Sequence, residues 1–287
     1  MLEKLSINNK TTANVLPGWP QHSQSPLPAW FVQHFPKLAV FHLKCHIFPA
    51  FKDLLTALTV CKSLQEIVFQ IQCLSDADTC AFASVLPHFS AVKILDMNNM
   101  FFESKEGAED FAKALQSLNQ LEFLRLPMGS GITAAASSIV HQFPHLPHLK
   151  VLIFNFCLTD DSLLELAKVA RDGFLCTLQQ LDLNGNSKIT DSGWKDFFLT
   201  VNNMPKLKEF EAGRPYCNNL KPNPQTVRAF VQCVSKLHNL VVISMLGWLL
   251  DAEDLRMFEE MKQQHPQSKR MRLIWQWLLP FPANITE

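Results

Sequence analysis

Apolar residues recur along this chain at a nearly fixed interval, and each recurrence has the same internal spacing. In the clearest copy, Leu178, Leu181 and Leu183 are followed by Asn186 and Ile189. Each copy opens on an apolar residue, and the intervals between openings are 26 to 33 residues; the openings are Leu38, Leu64, Val92, Leu121, Leu149, Leu178, Leu207, Leu240 and Met271. A period in this range with Leu-x-x-Leu-x-Leu spacing is typical of a leucine-rich-repeat solenoid.

The spacing of apolar residues changes within each copy. The first half alternates with a period of two, so its apolar residues lie on one side of a short strand and its polar residues on the other. The second half has apolar residues three and four apart, as in Leu163, Leu166, Ala167 and Ala170, which predicts an amphipathic helix. Stacked copies bury both apolar sides. The sequence therefore predicts an α/β horseshoe like that of ribonuclease inhibitor, with parallel strands on the concave face and helices on the convex face.

We expect one domain over residues 1–287 with about nine repeats. Residues 1–37 are interpreted as a partial repeat with an irregular insert, residues 38–270 as the regular repeats, and residues 271–287 as an aromatic C-terminal cap. The helix starts are marked by residues whose side chains can accept the free amides of a first turn, at Ser75, Thr159, Thr190 and Asp251. The long interval after Leu207 predicts a protruding loop over residues 213–224.

Charge and composition narrow the classes of partner. The 26 basic and 26 acidic residues cancel, which argues against binding to nucleic acid or to anionic lipid. No apolar stretch approaches the roughly 20 residues of a membrane-spanning helix, and the N-terminus has no secretory signal pattern. The eight cysteines have no paired Cys-x-x-Cys spacing, as is usual for reduced thiols. We therefore expect a cytoplasmic protein that binds neither nucleic acid nor membrane.

Two groups of side chains could carry chemistry, and a structural role is favoured for both. His42, Cys45 and His46 form the densest set of potential metal ligands, but a zinc site usually needs four ligands and no second pair lies nearby. Asp160 and Asp161 could be a pair of catalytic carboxylates, yet their position at a helix start explains them as capping residues. No glycine-rich segment is followed by the lysine of a nucleotide-binding loop. We expect no enzyme activity, no metal and no cofactor.

The outward positions of the strands are the best candidates for a functional surface. They combine apolar residues with flanking charges, as in the centre and rim of a protein interface; the candidate contact residues are Phe123, Arg125, Val151, Ile153, Gln180, Asp182, Asn184, Glu209 and Glu211. An exposed Val or Ile can also reflect strand propensity alone, and both interpretations stay open.

Several stretches are distinctive beyond the periodic positions; they are residues 96–115, 120–127, 248–254, 265–269 and 278–281. These stretches resemble the C-terminal leucine-rich region of the NLR family apoptosis inhibitory proteins, and the resemblance covers essentially the whole chain. The zinc-binding inhibitor-of-apoptosis repeats and the nucleotide-binding NACHT module of that family are not found in these 287 residues. Caspase inhibition and ATP binding are therefore assigned to no residue of this sequence.

The resemblance implies a role in innate immunity. Receptors of this family sense bacterial flagellin or secretion-system proteins and assemble an inflammasome with a CARD-bearing NLR partner, while their repeats mainly keep the receptor inactive. The implied partners are the other domains of the parent receptor, the CARD-bearing NLR and the bacterial protein ligand. Because the chain starts within a strand pattern at Leu2, we expect it to be the C-terminal arm of a longer receptor. The alternative is a free-standing leucine-rich-repeat inhibitor that clasps one protein in its concave face.

Overall fold

The computed structural model describes residues 3–9, 33–46, 48, 50–72, 74–215 and 217–276. In these ranges ten strands form one parallel sheet, and each strand pairs with its neighbours in the sequence. The strands are β1 Lys4–Asn9, β2 Val40–Cys45, β3 Glu66–Ile71, β4 Ile94–Asp96, β5 Phe123–Arg125, β6 Val151–Ile153, β7 Gln180–Asp182, β8 Glu209–Glu211, β9 Val242–Ser244 and β10 Arg272–Ile274.

Helices alternate with these strands from β2 onward. Eight helices have defined bounds within the described residues: α1 Phe51–Leu58, α2 Asp76–Val85, α3 Lys105–Leu115, α4 Ser130–Val140, α5 Asp160–Arg171, α6 Asp191–Thr200, α7 Pro224–Lys236 and α8 Ala252–Gln264. Two short 3₁₀ helices, Leu86–Phe89 and Phe143–His145, follow α2 and α4. Strand and helix therefore alternate along one continuous solenoid, and the predicted leucine-rich-repeat fold is confirmed.

The apolar strand positions lie in register across the sheet. Leu124 of β5 pairs with Leu152 of β6, which pairs with Leu181 of β7, and all three are at most 1% exposed. β2 to β9 each begin two residues after the apolar opening residue of their copy. The buried ladder of identical positions is what a parallel sheet with one apolar face requires.

Aromatic rings inside the solenoid join the strand half and the helix of the same repeat. The ring centroids of Phe69 and Phe82 are 5.7 Å apart, and those of Phe102 and Phe111 are 5.5 Å apart. Both pairs meet edge to face, which is a favoured geometry for two aromatic quadrupoles. The rings therefore pack the inner sides of α2 and α3 against the strand halves of their own repeats.

The predicted helix caps are also present. The side chain of Ser75 accepts from the amide of Asp78, and that of Thr190 accepts from the amide of Gly193 at 3.2 Å. Asp160 adds a contact between repeats, because its carboxylate accepts from the Thr190 amide at 2.8 Å and from the Thr190 hydroxyl at 2.6 Å. This carboxylate thus stabilises the start of the next helix.

In the segment after β8, which the sequence predicts to be a protruding loop, Cys217, Asn218 and Asn219 are exposed, but the segment is anchored at Arg214 and Leu220. Arg214 is only 5% exposed, and its guanidinium donates to the backbone carbonyls of Asn186, Ser187 and Ile189 at 2.9 to 3.1 Å. Leu220 forms a parallel bridge with Trp248 of the following repeat. Arg214 supplies donors to carbonyls of the preceding turn, which need partners, whereas Leu220 pairs with the backbone of the following repeat.

Both ends of the repeat array extend the sheet. β1 pairs along its full length with β2, and β10 pairs with β9. Residues 10–32 and 277–287, which include most of the predicted insert and much of the predicted cap, lie outside the described residues. The division into one domain of about nine repeats with a cap therefore stays a prediction. Across the described ranges, no helix is both long enough and apolar enough to cross a membrane.

Candidate protein-contact surface

Two rows of side chains cross the exposed face of the sheet from β5 to β8. The parallel pairing aligns Phe123, Val151, Gln180 and Glu209 in one row and Arg125, Ile153, Asp182 and Glu211 in the other. Adjacent strands lie about 4.8 Å apart, so neighbours within a row are in contact range. The structure therefore brings the predicted contact residues together on one surface.

One predicted contact residue, Ile153, is buried in the structure and does not offer the exposed side chain that the sequence predicted. Ile153 is only 5% exposed, whereas the other eight are partly exposed. Arg125 and Asp182 occupy the register positions on either side of Ile153. Asn155 and Phe156, in the loop that follows β6, line the same pocket as Ile153. The expectation that Ile153 is exposed is therefore wrong, because longer neighbours rise above it.

Arg125 is held in a fixed position at one end of the second row. Its Nη1 lies 3.1 Å from Asp96 Oδ2 and 3.3 Å from Asp96 Oδ1 on the adjacent strand. The guanidinium carbon also lies 5.8 Å from the ring centroid of Phe123, within range of a cation–π contact. The charge of Arg125 is thus balanced inside the protein.

The opposite end of the surface is acidic. Asp182, Glu209 and Glu211 lie on the adjacent strands β7 and β8, and we call these three residues the acidic strip. None of them forms an ion pair among the described residues. Their carboxylates are organised by neutral groups instead. Asn184 Nδ2 donates to Glu211 Oε2 at 2.7 Å, and the amide of Asn184 donates to Asp182 Oδ1 at 2.9 Å.

The environment of Glu211 disfavours its negative charge. Burial raises the pKa of Glu211 above its usual value, and the charges of Asp182 and Glu209 act in the same direction. Hydrogen bonds from Asn184 and Gln180 oppose the shift in pKa but do not cancel it. Negative charge is therefore held on this surface at an electrostatic cost.

A pocket opens where the sheet meets the loops that follow β4, β5 and β6. It is lined by Asn98, Asn99, Arg125, Leu126, Met128, Ile153, Asn155, Phe156 and Asp182, and we call it the loop pocket. Asn155 Nδ2 donates to Asp182 Oδ2 at 3.3 Å, while Asn155 Oδ1 is buried without a donor among the described residues. Phe156 is 52% exposed. Sequence reasoning missed these loop residues, because strand alternation gives no information beyond the strand end.

The potential metal ligands are separated by the sheet. His42 lies on the exposed face of β2, where its Nε2 is 2.6 Å from Glu66 Oε1, whereas Cys45 is on the buried face. Burial raises the pKa of Cys45 to about 11, which keeps the sulfur protonated. Within the ranges that the structure describes, no three His, Cys, Asp or Glu side chains come together as a metal ion would require.

Comparison with known proteins finds relatives that match most or all of the chain. Baculoviral IAP repeat-containing protein 1f of Mus musculus is 40% identical over 286 residues, which cover 100% of this chain and 20% of that protein. Baculoviral IAP repeat-containing protein 1 of Homo sapiens is 42% identical over 256 residues, covering 88% of this chain and 18% of that protein. NLR family CARD domain-containing protein 4 of Bos taurus is 29% identical over 195 residues, covering 67% of this chain and 19% of that protein.

Among solved structures, a protein from Bacteroides fragilis aligns with a TM-score of 0.48 at 15% identity, covering 88% of this chain and 70% of that chain. A chain of the TLR13–ssRNA13 complex aligns with a TM-score of 0.47 at 15% identity, covering 88% of this chain and 34% of that chain. No family model matches the sequence.

The relatives confirm the resemblance drawn from the non-periodic stretches. The alignment with the mouse protein covers 100% of the chain. The chain spans about a fifth of the length of the curated relatives it matches. This chain therefore belongs, with the baculoviral IAP repeat-containing protein 1 proteins, to the NLR family apoptosis inhibitory proteins.

Proposed function

We propose that this chain is the non-enzymatic regulatory and protein-interaction region of a cytosolic NLR. The parent receptor senses bacterial flagellin or secretion-system proteins and then assembles an inflammasome with a CARD-bearing NLR partner. The observation that carries this proposal is the 40% identity over 286 residues to a baculoviral IAP repeat-containing protein 1 of the mouse. The matched region makes up 20% of that longer protein. The repeats mainly keep the parent receptor inactive until its ligand binds.

A solenoid is suited to this restraining role. It grows linearly and offers one long surface that can contact several domains at once. To hold an inactive state at about 99% of the population, its contacts must favour that state by about 2.7 kcal/mol over the active one. A few buried side-chain contacts supply a difference of this size. The surface of β5 to β8 is one region that could provide them.

Deletion of the repeats tests the restraint. Residues 38–287 are removed from a full-length receptor that carries this chain, and ligand-free assembly is followed by native gel electrophoresis at matched expression. We expect the deletion to raise ligand-free assembly about tenfold or more, since the restraint is lost. A matched control carries Asp110→Asn on α3, where an exposed ion pair with Lys113 contributes little. Unchanged basal assembly in the deletion would refute the proposal.

A second function is favoured by the unpaired acidic strip. A free-standing inhibitor would clasp one protein in its concave face and would need no other domain. Charge reversal by Asp182→Lys together with Glu211→Lys should then release a captured partner, whereas Asp110→Lys should not. Sequencing of the transcript upstream of the Met1 codon separates the two functions, because an in-frame NACHT module assigns the chain to a receptor.

A further inference from the structure

The loop pocket has the composition of a binding site for an apolar side chain. Met128 and Phe156 supply accessible apolar surface, the buried Leu126 and Ile153 complete the apolar lining, and three asparagine side chains supply hydrogen-bonding groups. Small sites of this kind bury an apolar group and use a few polar groups to orient it. Asn155 Oδ1 is one such group, since it is buried and lacks a donor among the described residues.

Phe156 occupies a backbone position that suits glycine better. Its φ is 66°, and glycines stand at the same place in two later repeats, Gly185 with φ 76° and Gly247 with φ 79°. A bulky side chain in this left-handed region is uncommon and strained. The ring is nevertheless 52% exposed, so core packing does not explain the strain. Strain of this kind is found where a surface has a function.

The loop pocket is continuous with the acidic strip through Asp182. This residue lines the loop pocket, and its strand partner Glu211 lies on the next strand away from the pocket. On the other side of the loop pocket, Arg125 is already neutralised by Asp96. A ligand therefore meets uncompensated negative charge on one side of the loop pocket only. Because adjacent strands lie about 4.8 Å apart, this charge is one or two strands, or about 5–10 Å, from the apolar residues that line the pocket.

These features select the chemistry of the occupant. The spacing matches side chains at positions i and i+2 of an extended peptide, or at i and i+4 of a helix. We propose that the loop pocket and the acidic strip form one docking site for a segment of a partner protein, which places a large apolar side chain in the pocket and a lysine or arginine on the strip. This inference rests on the protein-interaction role proposed above, and it names the partner's chemistry.

Selection from random peptides tests the proposal without a known partner. A phage-displayed library of random dodecapeptides is selected on the full 287-residue chain. We expect the selected peptides to carry a large apolar residue with Lys or Arg two to four positions away. Binding of the synthetic peptides is then measured by fluorescence anisotropy. Changing the basic residue to Glu, or the apolar residue to Ala, should weaken binding about tenfold.

Matched protein variants assign the site. Asp182→Asn and Glu211→Gln keep the shape and the hydrogen-bond acceptors, and each should weaken peptide binding about threefold or more, with a smaller effect in high salt. Phe156→Ala should weaken binding without changing its salt dependence. Asp110→Asn on α3 is the control and should bind as the unchanged chain does. Circular dichroism confirms that each variant is folded.

Three outcomes would overturn the docking proposal. The first is selected peptides without the apolar and basic pattern, or no selected peptides at all. The second is equal binding to Asp182→Asn and Asp110→Asn. The third is a dimer in analytical ultracentrifugation that dissociates in Asp182→Asn, which would make a second copy of the chain the occupant.

The outcomes also separate this inference from the proposed function. If deletion of residues 38–287 raises ligand-free assembly but no peptide recognises the site, the docking site is wrong and the restraint stands. If peptides bind as expected but deletion leaves basal assembly unchanged, the docking site stands and the restraint is wrong.

Discussion

Glu211→Gln should stabilise the folded chain at neutral pH, although it replaces a residue of the candidate site. The change removes the charge that burial disfavours and that Asp182 and Glu209 repel. Glutamine retains an oxygen that can accept from Asn184 Nδ2, which donates to Glu211 Oε2 at 2.7 Å. The substitution therefore isolates the electrostatic cost of the acidic strip.

The magnitude follows from Coulomb's law and screening. Carboxylates on adjacent strand positions are taken as roughly 7 Å apart, and at an effective dielectric constant of about 40 to 80 each pair repels by about 0.6–1.2 kcal/mol. Two neighbours double this value, and about 0.15 M salt reduces it by roughly half. We expect Glu211→Gln to raise the free energy of unfolding by about 0.5–1 kcal/mol. The melting temperature should rise by about 1–3 °C.

The pH dependence gives the sign of the effect. Because the pKa of Glu211 is raised in the folded state, folding favours its protonated form, and the cost of its charge is complete above the folded pKa. As the pH falls through the folded pKa, the native chain takes up a proton and stability is regained. Below the unfolded pKa of about 4.3, both states are protonated and the cost disappears. The advantage of Glu211→Gln should therefore be present at pH 7 and absent near pH 4.

Thermal unfolding by circular dichroism at both pH values is the assay. Asp110→Asn is the control, because Asp110 lies 3.4 Å from Lys113 in a pair whose side chains are 55% and 72% exposed. Its effect should be small at both pH values. A lower melting temperature for Glu211→Gln at pH 7, or a gain that persists at pH 4, would refute the reasoning.

Three further substitutions test other parts of the structure. Arg214→Met removes the donors to three carbonyls and should cost about 2–4 kcal/mol in urea unfolding; a loss below about 1 kcal/mol would show that water replaces the guanidinium. Burial lowers the pKa of His265, with the charge of His238 acting in the same direction, so stability should fall as the pH drops below about 6.5; His265→Asn should flatten this fall in pH-dependent melting curves. Gly185 has a φ of 76°, and Gly185→Ala would place a methyl group against the Phe156 ring. The change should lower the free energy of unfolding by about 1–2 kcal/mol and weaken peptide binding. Unchanged binding would show that the position of the ring is unimportant.

The sequence predicts the repeated strands, helices and helix caps well, because the interactions that determine them are local. Strand and helix positions follow from apolar spacing, and capping residues such as Ser75 and Thr190 act within three residues of their own position. The rows of outward side chains on β5 to β8 also follow from alternation. Burial of Ile153 does not, because it depends on how high the neighbouring strands and the following loop rise above it. The loop pocket is missed for the same reason.

A single position of the repeat shows why the remaining part could not be predicted. Eight residues after its opening leucine, one copy has Asn186, which donates to the carbonyls of Phe154 and Leu183 at 2.8 and 2.9 Å. The same position is held by Cys157 one repeat earlier and by Trp248 two repeats later.

Trp248 Nε1 donates to the carbonyl of Ala212 at 2.8 Å, so an indole performs the task of the amide. In the repeat between them Pro215 holds the position and has no side-chain donor, and the neighbouring Arg214 donates to other carbonyls of the preceding turn, those of Asn186, Ser187 and Ile189. The physical requirement is constant, since buried carbonyls must be paired. The residue that meets it is not, because amide, indole and guanidinium reach the carbonyls by different paths. A pattern of residue types therefore predicts that the buried carbonyls of each turn accept hydrogen bonds, and only the three-dimensional structure identifies the side chain that donates them.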